Sequence, residues 1–381
     1  MASISPSLLV AAAPETPPDR AVRPNAVVYC EGNFGETDGK TANGLVRHSE
    51  KLRIVAVIDG VHAGSDAGLV LGEASNGIPI VRGLDEALLV PGGRPEWFVV
   101  GMAPSSGLLS VAQRAVVLRA MSMGMSVVNG LHEFLNDDPE FVAAAVLGGV
   151  EILDVRRPSD KKDLHMFSGR IDSVTCPRIA VLGTDGAIGK RTTSTILAAA
   201  LQDAGLRTVL VGTGQTSLIQ GARYGVALDA VPAQFCAGEM EHAVVEAFAR
   251  EQPDVIVIEG QGALSHPAYL TSAYILRGSR PQAVILQHAP RRNRLSDFPM
   301  LLTPTAASER HLIETFADTR VIGVTINHEH MQPDEVDAAA VELSASLGVP
   351  VTDALLRPRR ELVDMVLAAF PALEGRLTAV G

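Results

Sequence analysis

The segment best suited to chemistry is the glycine turn Gly183-Thr184-Asp185-Gly186-Ala187-Ile188-Gly189-Lys190. It follows an apolar run at 178–182 and precedes a stretch with Ile196, Leu197, Ala200 and Leu201 on one helical face. Strand, glycine turn, lysine and helix in that order make a phosphate cradle. Glycines let backbone N–H groups wrap the anion, the helix N-terminus adds partial positive charge, and Lys190 neutralises the terminal phosphates. A hydroxyl directly after the lysine ordinarily holds Mg2+. Here the loop is one residue longer than the usual spacing and Arg191 takes the hydroxyl's place, so Thr192 or Thr193 must supply any metal ligand, or the metal role weakens. Residues 183–193 are therefore expected to bind a nucleotide or another phosphate-bearing ligand.

Two other segments bring acid–base groups. Asp254-Val-Ile-Val-Ile-Glu259 reads as a buried strand that puts Glu259 at the carboxyl edge of a sheet, where an acid can contact a metal or act as general base. A simple capping role is the alternative. The following loop carries Gln261, Ser265 and His266, and an imidazole with an ordinary pKa of about 6.5 can exchange protons near neutral pH. Gln215 and Thr216, after another strand, can hydrogen-bond a polar substrate. Asn327 suits either a purine edge or a turn cap. The expected roles are thus catalysis for Lys190, Glu259 and His266; substrate contact for Gln215, Thr216, Gln261, Ser265 and His266; and metal contact for Thr192 and Glu259. Asp229 and Glu239 face substrate or cap a helix, and the arginines at 277, 280, 291, 292 and 294 form a basic supply suited to a carboxylate or a remote phosphate, though each read individually is solvated.

The elements that must position these groups alternate between β-branched runs and helix-length segments, the pattern of parallel strands with helical crossovers. The first series has strands at 27–30, 54–58, 78–81, 97–100 and 126–128, with helices at 41–49, 84–89, 108–123 and 132–135. The second has strands at 178–182, 208–211, 254–258, 283–287, 321–326 and 349–351, with helices at 190–204, 235–251, 306–316, 333–347 and 359–369. The expected fold is α/β: a Rossmann-like parallel-sheet domain at 25–150, a connection at 151–176, and a P-loop α/β domain at 177–381. Residues 1–24 read as a flexible tail. In the first domain Gly39-Lys40-Thr41 also lies between strand and helix, but Glu31, Glu36 and Asp38 would crowd negative charge onto a phosphate. With Asp59 closing the next strand, a dinucleotide site, a second substrate or interface surface and a plain turn all stay open there.

Composition narrows the partners. With 381 residues, two cores are expected; 47% hydrophobic but 4% aromatic residues make them aliphatic. A formal charge of −11 argues against a broad grip on nucleic acid, and small ligands are expected instead. Cys30, Cys176 and Cys236 form neither a zinc motif nor a disulfide framework. No apolar run is long enough to span a bilayer, and the chain is expected in the cytoplasm, as a homo-oligomer.

The long glycine loop resembles that of the dethiobiotin synthetase group, in which an ATP-dependent domain activates small amines or carboxylates. Four blocks together, Lys40-Thr-Ala-Asn-Gly-Leu45, Gly183-Thr-Asp185, Gly212-Thr-Gly-Gln-Thr216 and Glu259-Gly-Gln-Gly262 with Ser265-His266-Pro267, are similar over almost the whole chain to a prokaryotic family long of unassigned function. That resemblance implies a Rossmann-like domain followed by a P-loop domain, and one branch of the family comprises D-glutamate N-acetyltransferases. Gly186 stands where the family's loop would carry Cys, and Arg191 departs from the usual metal-binding residue. The resemblance implies a transferase that acylates the amine of an amino-acid-like substrate, with acetyl-CoA held at the P-loop. Two alternatives remain: an ATP-dependent amide-forming ligase or kinase using Mg2+, and a nucleotide-gated regulatory module.

Overall fold

The computed structural model describes residues 23–104 and 106–377. Of the tail expected at 1–24, residues 1–22 lie outside the described residues. The first sheet has six parallel strands: β1 (Asn25–Tyr29), β2 (Arg53–Ile58), β3 (Ile80–Val81), β4 (Trp97–Val100), β5 (Ser126–Asn129) and β6 (Ile152–Asp154). Their order, β3-β2-β1-β4-β5-β6, is that of a dinucleotide-binding sheet, with its switch point between β1 and β4. The second sheet has seven: β7 (Arg178–Gly183), β8 (Thr208–Gly212), β9 (Tyr224–Gly225), β10 (Val255–Glu259), β11 (Ala283–His288), β12 (Arg320–Ile326) and β13 (Val351–Thr352), ordered β13-β12-β11-β7-β10-β8-β9 and again parallel. Both are α/β, one Rossmann-like and one P-loop-like.

Strand β6 falls inside the stretch read as a connection, because Ile152-Leu-Asp154 is too short to reveal itself before a neighbour supplies its hydrogen bonds. The first domain's helices are α1 (Lys40–Arg47), two single turns α2 (Ala67–Val70) and α3 (Leu84–Ala87), α4 (Val111–Ser122) and α5 (Pro139–Gly148). Helix α4 starts at a reciprocal cap between Ser110 and Gln113. The helix expected at 132–135 is instead a short turn, and α5 follows it. Asp138 caps α5, Pro139 sits in its first turn and Gly149 closes it at φ 61°, all legible start and stop signals.

The second domain adds α6 (Lys190–Asp203), α7 (Gln215–Gln220), α8 (Ala233–Glu251), α9 (Thr271–Ser279), α10 (Ala306–Phe316), α11 (Pro333–Leu347) and α12 (Arg360–Ala369). Its strands bury both faces. Ala180, Leu182, Ile256 and Ile258 pack with Met240 and Ile275, while Ile179, Val181, Val255 and Val257 pack with Leu197 and Val366. These aliphatic layers hold rigid the strand ends that carry the site. Helix α7, read from sequence as a loop, crosses to the first domain, where its Ile219 joins that domain's core.

Candidate functional site at the P-loop and the domain seam

Register builds the site. Pairing sets Glu259 beside Val181 and Gln287 beside Gly183, so β7, β10 and β11 end together. The chain leaves β7 in a tight loop. A Cβ at Gly183 would lie 2.8 Å from Ile188 Cδ1 and 3.0 Å from Gln287 O, so no larger residue fits. Gly189 enters α6 at φ 96°, a left-handed conformation that favours glycine. Thr184 is fully buried, with its hydroxyl 3.0 Å from His288 Nδ1. Ile188 is buried and Ala187 exposed, while a Cβ at Gly186 would meet nothing nearer than Ser296 Oγ at 3.7 Å.

Asp185 anchors the loop. Its side chain is fully buried; Oδ1 accepts from Gly186 N at 2.7 Å, and Oδ2 accepts from Ser296 N at 2.9 Å and Arg292 Nη1 at 3.0 Å. Arg292 also donates to Gly186 O at 2.8 Å and forks onto both Glu329 oxygens at 2.6 Å. The expectation that Arg292 is merely solvated is thereby corrected. Lys190 lies folded against the loop, its ammonium donating to Asp185 O. Burial pulls its pKa down to about 8, against the opposing pull of Asp185. Phosphate charge at this point would raise it again.

Arg191 turns the other way, toward β10 and α7. Its Nε donates to Gln220 Oε1 at 2.6 Å and its Nη1 to Ser217 Oγ at 2.7 Å, with Glu259 Oε2 3.9 Å away. Glu259 is buried and accepts from Thr213 N at 3.0 Å through the same oxygen. Oε1 has no hydrogen-bond partner among the described residues. Thr193 donates its hydroxyl to Gln287 Oε1 at 2.6 Å, inside the core. Thr192 follows Lys190 by two residues and so points to the opposite side of α6. Neither threonine is placed as the expected metal ligand.

His266 is buried, its ring stacked on Tyr269 with centroids 4.4 Å apart. Its Nδ1 accepts from Ala268 N at 3.2 Å and Tyr269 N at 3.3 Å. A ring nitrogen that accepts carries no hydrogen, so the neutral imidazole bears its proton on Nε2. That Nε2–H sits 4.0 Å from Asp185 Oδ1 and has no hydrogen-bond partner among the described residues. Burial also lowers the ring's pKa, outweighing Asp185 and Asp297. The geometry fits a fixed hydrogen-bond donor better than the general acid or base expected from sequence. Tyr269 donates to Asp297 at 2.8 Å, and burial followed by that bond pushes its pKa up to about 12.

Several expected contacts are spent on the scaffold. Asn327 donates to Ile188 O at 3.1 Å and accepts from Glu329 N, so its amide braces the loop and is not left for a purine edge. Gln261 donates to Thr213 O at 2.6 Å. Ser265 donates to Glu309 Oε2 at 2.5 Å, and burial pushes that carboxyl's pKa up. Gln215 is buried against Gly130, and the Thr216 hydroxyl meets that of Thr41 at 3.0 Å. Asp229 pairs with Arg156, and Glu239 accepts from His165 N at 2.5 Å. Glu309, His288 and Gln287 had no distinguishing sequence signal, since each matters through a partner 45 to 104 residues away.

The first-domain turn is an interface. Thr41 meets α7, and Gln220 donates to Gly44 O and His48 O at 2.6 and 2.9 Å. A Cβ at Gly44 would stand 3.0 Å from Thr216 Cγ2, so glycine sets how closely α1 and α7 approach. Asp59 is fully buried; it accepts from Gly32 N and Val61 N and meets His62 Nδ1 at 2.7 Å. Its carboxylate thus ties the turn after β1 to the loop after β2.

Residues 165–363 match the domain of unknown function DUF1611_C, described as a P-loop domain, and residues 61–158 match DUF1611_N, described as a Rossmann-like domain. The chain belongs to the DUF1611 family. A DUF1611 family protein from Anabaena variabilis, solved as a crystal structure, is similar with a TM-score of 0.83 at 32% identity, over 91% of this chain and 99% of that one. A D-glutamate N-acetyltransferase of Pseudoalteromonas sp is 31% identical over 312 residues, 79% of this chain and 90% of the relative. Another so named, from Tritonibacter scottomollicae, is 31% identical over 278 residues, 71% of this chain and 80% of the relative. In this DUF1611 protein no helix among the described residues is long and apolar enough to cross a membrane.

Proposed function

We propose that the chain transfers an acetyl group from acetyl-CoA to the amine of an acidic amino acid, D-glutamate being the substrate in the names of two relatives. The observation that carries the reading is the buried, unpartnered Nε2–H of His266 beside the phosphate loop. When the amine attacks a thioester carbonyl, negative charge grows on oxygen, and a fixed donor in a dry site stabilises it. The C–N bond forms, the C–S bond breaks, and the electron pair leaves with the CoA sulfur. Glu259, with Oε1 uncommitted, takes the proton from the amine, and the thiolate is released as CoA. The loop at 183–190 and Lys190 would hold a CoA phosphate, with the pantetheine arm folded back so that the thioester reaches His266 and Glu259.

Charge at the seam supports an acidic acceptor. Lys40 at the start of α1, Arg156 and Asp229 each lie within electrostatic reach of His132, and Asp229 pairs with Arg156. The Lys40 and Arg156 cations suit the carboxylates of such an acceptor. Asp229 is also within reach of Tyr269, which stacks on His266.

The test is to incubate the full chain with D-glutamate and either acetyl-CoA or Mg-ATP and identify products by mass spectrometry. N-acetyl-D-glutamate with free CoA is the expected result. ADP with a phosphorylated or amide product would replace this reading with the ligase or kinase one; tight nucleotide binding without turnover would favour a regulatory module.

A further inference from the structure

P-loop sites ordinarily hold a divalent cation between the hydroxyl after the lysine and an acid on the neighbouring strand. The donor set here does not fit one. The hydroxyl position is Arg191, and its guanidinium lies 3.9 Å from the strand-end acid Glu259, where the cation would sit. A divalent ion entering there would meet a fixed positive charge. Thr193 is bonded into the core through Gln287, and Thr192 faces away from Lys190. Among the described residues, no group of three or more His, Cys, Asp or Glu side chains is arranged to hold a metal ion.

We propose that Arg191 takes the place of the divalent cation, so that the loop binds the phosphates of its ligand between Lys190 and a resident guanidinium without metal. Three features suit Arg191 to the task. Its Nε and Nη1 are clamped by Gln220 and Ser217, which fixes the plane of the fork. Its Nη2 has no hydrogen-bond partner among the described residues and is left for a phosphate oxygen. Guanidinium is the side chain whose planar donors match phosphate geometry and whose charge survives burial. A resident cation also suits a ligand whose phosphates are gripped and released intact, because nothing is needed to neutralise a migrating phosphoryl group.

The clamp has a second consequence. Gln220, which orients Arg191, donates to Gly44 O and His48 O of the first domain. Phosphate binding at Arg191 therefore reaches α1 through one side chain, which ties the ligand to the seam holding the second substrate. The inference rests on the loop binding phosphate and is independent of which group is transferred.

Isothermal titration calorimetry of the full chain with CoA and, separately, with ADP tests it, each in Mg2+ and in excess EDTA. The expected result is a Kd for the binding probe that differs by less than about twofold between the two conditions, whereas loss of a required cation would change it by about tenfold or more. Arg191→Thr, which restores the usual hydroxyl, should weaken binding by about tenfold in EDTA and recover in Mg2+. Wild-type binding that collapses in EDTA would overturn the proposal, and this comparison needs no variant to fold. Failure of both probes to bind would overturn it too, by removing the phosphate site. ADP binding without CoA binding would sink the acetyl-transfer reading alone, leaving the EDTA comparison to decide the role of Arg191.

Discussion

Removing the Arg292 side chain by Arg292→Ala should loosen the phosphate loop more than any surface arginine change. Arg292 is 14% exposed and Asp185 not at all, so the pair is shielded from solvent. Breaking a buried pair by deleting one partner costs roughly 3–5 kcal/mol, because the other charge stays buried. Asp185 keeps its bonds from Gly186 N and Ser296 N, which places the expected cost near the low end, about 3 kcal/mol. For a domain of this size each kcal/mol moves Tm by about 2–4 °C, giving a fall of about 6–12 °C. Differential scanning fluorimetry reads the shift, and CoA titration reads the loop. Adding Asp185→Asn should return part of the loss, since the stranded charge is gone. A fall of less than about 2 °C in the single variant, or no recovery in the double, would refute the claim that this pair sets the loop.

Four further outcomes follow from the geometry. His266→Ala should cut kcat by about 10²–10³ while leaving CoA affinity near wild type, as expected for a donor used in the transition state; an equal loss in affinity would mean that His266 holds the ligand instead. Affinity for CoA should be flat below pH 8 and fall above it by up to about tenfold per unit, because Lys190 has a pKa of about 8 and must take up a proton to meet phosphate; titration calorimetry across pH checks this. Burial lowers the His288 pKa to about 4, below the unfolded value of about 6.5, so its contribution is intact above pH 6.5 and drains as pH falls toward 4. Unfolding followed between pH 7 and 5 should show stability dropping with acid at up to about 1.4 kcal/mol per unit from this group, and a shallower slope in His288→Asn. Gly44→Leu should cost about 1–3 kcal/mol by forcing α1 from α7; an unchanged Tm would show that the seam yields freely.

Much of the scaffold was legible because it is written in short-range pattern. β-branched runs gave the two parallel sheets, and Gly189-Lys190 after an apolar strand gave the phosphate loop, since both depend on neighbours only a few residues apart. Short elements were less legible: β6 exists by pairing with β5, and α7 by packing across the seam. Even the loop signal of Gly212-Thr-Gly214 concealed a helix start.

The sequence by itself determined that a phosphate loop sits at the carboxyl edge of a parallel sheet with Glu259 next to it, because strand, turn and helix propensities are local. It could not say which way Arg191 or Asn327 points, whether Thr193 is free, or which nitrogen of His266 carries hydrogen. Those depend on Gln220, Ile188 O, Gln287 and the backbone of Ala268 and Tyr269, brought together by the fold. A buried polar group must find a partner, and the tertiary structure alone decides which groups are committed and which remain to meet a ligand.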